Sequence, residues 1–415
     1  MMVFLGAASV FILAAWLGVH VFWIARFNAA IRASRPCRVP DDALPKVAVV
    51  LSLRGADPFL DRCLAGLFAQ DYPDYDVRIV IDCATDPAWD VVERAVARHR
   101  AHNVTIEALK AARRTCSLKN SSLIQAVANL DRSHGAVVVV DADVVPYANW
   151  LRDLVGPLVR PGVGATSGVR WFMPETADVG SLVRYLWNSA AILQMRAFGI
   201  GWGGSLAIRA DLLRDAELIE KWSKILFEDT FTANELQRLG HKLEFVPAAT
   251  MVNRESIDLA GSVRFITRQL LNVRLYHDSW RAILWLTALT TLASVTVCAT
   301  AAWGAVIGQW AVAAALGTCA AAFPAAFTLL LLWLEGAVRK SVRSRGEATP
   351  PLSWHVVWAL PFTQFAYVGC VLWALRKRKV EWRGITYRLH APHRIRLIKY
   401  SPYQPAKSES VPLSL

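Results

Sequence analysis

The chain has 415 residues, of which 54% are hydrophobic and 19% charged, with a mean hydropathy of +0.32. That is too apolar for an ordinary soluble or disordered protein, yet too charged for a chain lying wholly in lipid. A net charge of +13 suits anionic headgroups or anionic substrates, and no basic run interleaves with aromatics as nucleic-acid binding would require. The 17 tryptophans fit membrane–water interfaces. The 7 cysteines are scattered without a CxxC pair, which argues against a disulfide framework or a zinc site.

Residues 3–25 carry no charge and are long enough to cross a bilayer. No Lys or Arg precedes them and the run is too long for a signal peptide. Arg26, Arg32, Arg35, Arg38 and Lys46 follow, so the positive-inside rule puts the next domain in the cytoplasm. This reads as an integral protein of a plasma or inner membrane.

Between about 40 and 280, short β-rich runs alternate with helical ones. Strands are expected at 47–53, 77–83, 104–109 and 136–143, and helices at 57–70, 86–100 and 117–130. The alternation predicts an α/β, Rossmann-like fold with a mostly parallel sheet, whose ligands sit beyond the carboxyl ends of the strands. Asp57 and Asp86, each before a proline, suit helix N-caps. Asp141 and Asp143 end a run of four valines and suit a hard divalent cation, Mg2+ or Mn2+, bridging a diphosphate. Glu228-Asp229 opens a helix and reads either as a favourable pair at its N-terminus or as an acid acting on an acceptor hydroxyl. Residues 181–198 are amphipathic and suit the membrane surface. GIGWGG at 199–204 lacks the context of a phosphate loop, so Trp202 reads as an acceptor-stacking or an interfacial residue.

Further apolar segments lie at 282–303, 310–334 and 353–376, the last two holding Pro324 and Pro361. Three full crossings would leave Arg376-Lys377-Arg378-Lys379 outside, against the charge rule. One proline-containing segment is therefore expected not to cross, or the tail breaks the rule. The organisation expected is an N-terminal span at 1–27, an α/β domain with interfacial helices at 28–281, two or three spans within 282–376, and a basic tail at 377–415, disordered from about 400.

The ordered motifs Arg54-Gly55-x-Asp57-Pro58, Asp71-Tyr72-Pro73, Asp86-Pro87, Lys119-Asn120, Asp141-Ala142-Asp143, Gly203 to Arg209, Glu228-Asp229 and Trp382-Arg383-Gly384-x-x-Tyr387 resemble those of family 2 glycosyltransferases of the GT-A fold, and within them the ceramide glucosyltransferase type. The resemblance covers roughly 3–390. It implies a UDP-sugar donor, with Asp82 on the uridine beside the Arg54–Asp57 loop and Lys119 near sugar or phosphate. It further implies that Asp141 and Asp143 serve ribose, diphosphate and metal, with Asp143 as the direct ligand. Asp229 would be the general base of an inverting displacement, with Glu228 beside the acceptor. The family's (Q/R)xxRW element is not matched. No Trp follows an Arg at the expected spacing, and Arg268, Gln269 and Arg274 read either as an approximate replacement that contacts the diphosphate or as a basic interfacial helix, lipid-headgroup patch or membrane anchor.

These readings favour transfer of a hexose from a UDP-sugar to a membrane-lipid hydroxyl. The alternative is a processive polysaccharide synthase, which the few spans and the degenerate element disfavour. A catalytically dead scaffold is disfavoured by Asp82, Asp141, Asp143 and Asp229 standing together. The sequence is silent on which sugar, which lipid, and the oligomeric state.

Overall fold

The computed structural model describes residues 2–33, 39–215 and 217–404. Arg35, Cys37, Arg38 and the tail beyond 404 lie outside them.

Helix α1 (Met2–Ala33) has 32 residues and so runs about 48 Å, well past the roughly 30 Å of a hydrocarbon core. The surplus docks on the α/β body. Ile24, Phe27 and Ile31 are buried there, while Asn28 Nδ2 donates to Trp333 O of the long helix Trp310–Arg343, at 3.3 Å.

Strand β1 (Lys46–Leu53), α2 (Leu60–Phe68), β2 (Tyr75–Ile81), α3 (Ala88–His99), β3 (Val104–Ala108), α4 (Leu118–Ala128) and β4 (His134–Val140) alternate as the sequence predicts. There follow α5 (Trp150–Val155), β5 (Val163–Phe172), α6 (Val179–Phe198), β6 (Ser205–Arg209), the short α7 (Ala210–Asp215) and α8 (Leu218–Trp222), α9 (Glu228–Arg238), β7 (Lys242–Asn253) and α10 (Leu259–Tyr276). The sheet order is β3-β2-β1-β4-β6-β5-β7, parallel except that β6 opposes both of its neighbours. Side chains alternate across it. Val47, Val49 and Leu51 of β1 pack on one face with α2 and α3, while Val50 joins Val137 and Val139 on the other with α4. Burial on both faces is why these strands read as unbroken apolar runs. The strand order turns between β1 and β4, so the crevice for a ligand opens beyond Leu53 and Val140.

With α1, helices α11 (Trp280–Val306), α12 (Trp310–Arg343) and α13 (Val356–Arg376) make four among the described residues that are long and apolar enough to cross a bilayer. Helices α1, α11 and α12 bundle through Leu13, Ala293, Val297 and Leu316. The predicted end of the second segment at 334 is corrected: α12 continues to Arg343, because Leu334, Val338 and Val342 are buried against the α/β body. Helix α13 behaves differently. It packs on α6 and α10, and its carboxyl end meets the body, where Arg274 donates to Leu375 O at 2.8 Å. Just past the end of α12, Arg345 donates to Ala248 O at 3.2 Å and Thr250 O at 2.8 Å. Its outer face exposes Trp358, Phe365 and Trp373.

The first part of the basic tail is folded, into strands that were not expected there. Strands β8 (Lys379–Trp382), β9 (Ile385–Ala391) and β10 (Arg394–Lys399) form an antiparallel sheet. Its inner residues Val380, Ile385, Tyr387, Leu389 and Ile395 pack with Leu118 and Phe227. The two-residue turn Arg383-Gly384 has φ of 48° and 73°, the left-handed pair that a tight hairpin requires. Tyr400 to Tyr403, expected to be disordered, lie against Arg54 and Asp82.

Candidate active site

The site begins at Lys119, on the first turn of α4. Its Nζ lies 2.7 Å from Asp141 Oδ1 and 2.8 Å from Glu228 Oε1, joining the end of β4 to the start of α9. Burial alone would lower the lysine's pKa, but the two carboxylates outweigh it and hold the value up. For Asp141 the same cation outweighs burial and holds the pKa below the ordinary value.

Asp143 has no such partner. Its Oδ1 is buried without a hydrogen bond, and Oδ2 stands 3.5 Å from Asn253 Nδ2. Burial, then the charge on Asp141, pushes its pKa up to about 7. An orphaned carboxylate oxygen beside a second carboxylate, both lining one polar cavity, fits a hard divalent cation. Among the described residues, Asp82, Cys83 and Asp86 also hold ligand atoms within 4.8 Å of one another. Those groups are already engaged: Asp86 accepts from Gly55 N and Ala88 N, and Asp82 pairs with Arg54.

Glu228 and Asp229 occupy the first turn of α9, behind Phe227 at the N-cap position. Neither is the N-cap residue, but both stand in the first turn, where acidic groups are favourable against the helix dipole. Glu228 is buried, which lifts its pKa to about 7 against the opposing pull of Lys119. Asp229 is held from three sides. Oδ2 accepts from Gly203 N at 2.9 Å, and Oδ1 accepts from Thr230 N at 2.6 Å and Asn272 Nδ2 at 2.8 Å. This close approach explains a glycine at 203, where a Cβ would sit 2.6 Å from Glu228 Oε1 and 3.0 Å from Lys119 Nζ.

Two cavities meet here. A polar one of about 130 Å³ is lined by Arg54, Lys119, Asp141, Asp143, Glu228, Arg268, Trp382 and Arg383. An apolar one of about 460 Å³ runs between α1, α6, α11, α12 and α13, lined by residues such as Leu13, Leu186, Val297, Phe323 and Leu360. Arg170, Trp202, Asp229, Gln269 and Asn272 line both. Trp202 is only 6% exposed, and the Arg170 guanidinium lies 5.4 Å from its ring, so its place is this junction rather than a membrane surface. Helix α6, expected on that surface, instead has its apolar residues buried between β5, α10 and α13.

Several sequence candidates lie elsewhere. Arg274 lines neither cavity and caps the carboxyl end of α13. Asp57 accepts from Phe59 N at 3.0 Å and pairs with Arg383 at 3.1 Å, outside the polar cavity. Asp82 is 2% exposed and also outside it. Arg268 does line the polar cavity. Burial, with Arg170 nearby, lowers its pKa to about 10. The indole absent after it in sequence is present in space, for Trp382 lies 4.9 Å from its guanidinium. Arg170, Asn272 and Arg383 had no sequence signal beyond Arg383's place in the terminal motif.

Among solved structures, the fold is similar to a mannosyltransferase from Pyrobaculum calidifontis in complex with GDP-Man and Mn2+. The two share 21% identity over 82% of this chain and 99% of that one, at a TM-score of 0.52. A glucosyl-3-phosphoglycerate synthase from Mycobacterium tuberculosis, with Mn2+, UDP and phosphoglyceric acid, overlaps less. It is 15% identical over 60% of this chain and 82% of that one, at a TM-score of 0.35. The sequence matches glycosyl transferase family 21 over residues 7–395. With a site at the switch point of a mostly parallel sheet and a family match over most of its length, the chain belongs to glycosyl transferase family 21 and is a glycosyltransferase of the GT-A type.

Proposed function

We propose that this transferase moves a hexose from a UDP-sugar to the hydroxyl of a membrane lipid, with inversion at the anomeric carbon. One observation carries the reading: the apolar cavity between the long helices and the polar cavity holding Asp141 and Asp143 share a wall at Asp229. The first suits a molecule with alkyl chains and a hydroxyl head, and the second offers the carboxylates and guanidinium groups that a charged nucleotide sugar and its cation need. A growing hydrated polysaccharide is a poor occupant for a cavity walled by Leu, Val and Phe side chains.

In the reaction the acceptor oxygen bonds to the anomeric carbon as that carbon's bond to the diphosphate breaks. The acceptor's proton passes to Asp229, whose Oδ2 accepts a single protein donor and keeps a lone pair for it. Gly203 and Asn272 fix the carboxylate before the substrates arrive. Asp143, with Asp141 beside it, would hold a divalent cation, which when bound offsets the charge of the leaving diphosphate. Arg170 and Arg268 add fixed positive charge to the same cavity. The GDP-Man and Mn2+ of the Pyrobaculum enzyme support a nucleotide-sugar donor and a divalent cation.

The test is to incubate purified protein in lipid nanodiscs with UDP-hexoses and Mn2+, and to read the lipids by mass spectrometry. A lipid heavier by one hexose, absent with Asp143→Ala or excess EDTA, is the expected result. A polymer, or transfer only to water-soluble acceptors, would overturn the reading.

A further inference from the structure

Asp82 directly follows β2, where the resemblance to GT-A transferases implies the uridine of the proposed donor, yet both its oxygens are occupied by the chain itself. Oδ1 accepts from the Tyr400 hydroxyl at 2.9 Å; Oδ2 accepts from Tyr403 N at 3.0 Å and pairs with Arg54. Arg54 is held in turn. Its Nη2 donates to Ser401 O at 3.1 Å, and its guanidinium centre lies 5.8 Å from the Tyr400 ring and 5.6 Å from the Tyr403 ring. The Tyr403 ring lies close against Gly55, where an added Cβ would stand 2.6 Å from the ring. The polar cavity runs from Asp143 to Arg54 and stops there. Its volume of about 130 Å³ falls short of the roughly 300–1,000 Å³ typical of sites for small organic ligands.

These contacts offer Asp82 and Arg54 what a nucleobase offers: a planar ring face beside the guanidinium and an N–H aimed at the carboxylate. We infer that Tyr400–Tyr403 is the resting occupant of the nucleobase subsite, and that a nucleoside diphosphate must displace it to bind. The inference rests on the proposed donor reading for the position of the base. The segment follows β10 without regular structure of its own, so its release breaks side-chain and single backbone contacts rather than a ladder. Release also lengthens the cavity past Arg54 toward Asp82.

The experiment measures UDP binding, with Mn2+ present, to the full chain in nanodiscs. Wild type is compared with a Tyr400→Phe, Tyr403→Ala double variant and with a chain ending at Lys399. The double variant loses the Tyr400 hydroxyl bond to Asp82 and the Tyr403 ring beside Arg54, and the shortened chain loses every contact of the segment, so UDP should bind at least about tenfold more tightly to both altered chains. In the wild type, UDP should speed amide hydrogen exchange at Tyr403. Unchanged or weaker binding in both altered chains would overturn the inference while leaving the donor site standing, since UDP still binds. UDP binding to none of the three would overturn this inference and the donor reading together.

Discussion

Asp229 is held by three donors, two at Oδ1 and one at Oδ2. Asn keeps the shape and the two bonds at Oδ1, but its amide nitrogen accepts neither the Gly203 N–H nor the acceptor's proton. A positioned base contributes typically 10²–10⁴-fold, so Asp229→Asn should lose about three to five kcal/mol of transition-state stabilisation while UDP affinity holds. Near-wild-type turnover in that variant would refute the role. Glu228 makes a separate claim, on stability. Its folded pKa, about 7, lies above the ordinary 4.5. The protonated carboxyl therefore supports folding below about 4.5, and that support is lost as pH rises through 7. The melting temperature of the wild type should fall across this window, and that of Glu228→Gln should fall less. Equal slopes for the two proteins would count against the burial account.

At the scale of elements, the sequence made plain what depends on local pattern and hid what depends on meeting. Strands β1 to β4 and their helices were legible because burial on both faces leaves continuous valine and leucine runs. Asp141 and Asp143 were legible because they interrupt one. Arg170 was not, since an arginine in a strand carries no mark of the cavity it will line. Asn272 was hidden in α10 for the same reason, and Trp382 supplies from 114 residues further on the indole missing after Arg268. The terminal sheet was overlooked although Ile385, Tyr387 and Leu389 alternate with polar residues, because basic residues dominate that stretch. Its turn gives a direct check. Gly384 has φ of 73°, where a β-branched residue costs about 1–2 kcal/mol. Gly384→Val should therefore loosen the hairpin that carries Trp382 and Arg383. Its expected signature is a higher KM for the UDP-sugar with the lipid KM unchanged.

For the whole molecule, the conflict between span count and charge rule has a structural way out. Helices α1, α11 and α12 bundle together, whereas α13 packs on α6 and α10, is tied to the α/β body at its carboxyl end, and turns Trp358, Phe365 and Trp373 outward. We propose that α13 lies along the interface, which would leave three crossings. The Arg376–Lys379 cluster then stays on the side of the α/β body, as the charge rule asks. Reporters fused after residue 404 and inserted at the Gly308-Gln309 turn should report opposite sides of the membrane. The same side for both would sink this topology.

The wall at Asp229 also governs what can compete with the lipid. Water is a smaller nucleophile than any lipid, and a nucleotide sugar open to solvent is wasted by hydrolysis. Beyond the shared wall of Arg170, Trp202, Asp229, Gln269 and Asn272, the acceptor cavity is lined mainly by alkyl and aromatic groups, which give a water molecule few of the two to four polar partners that hold it in place. Dryness in this cavity would thus couple sugar consumption to lipid modification. A polar side chain set into its wall, as in Leu186→Gln, should raise UDP release in the absence of lipid relative to release with lipid. An unchanged ratio would show that the donor is protected in some other way.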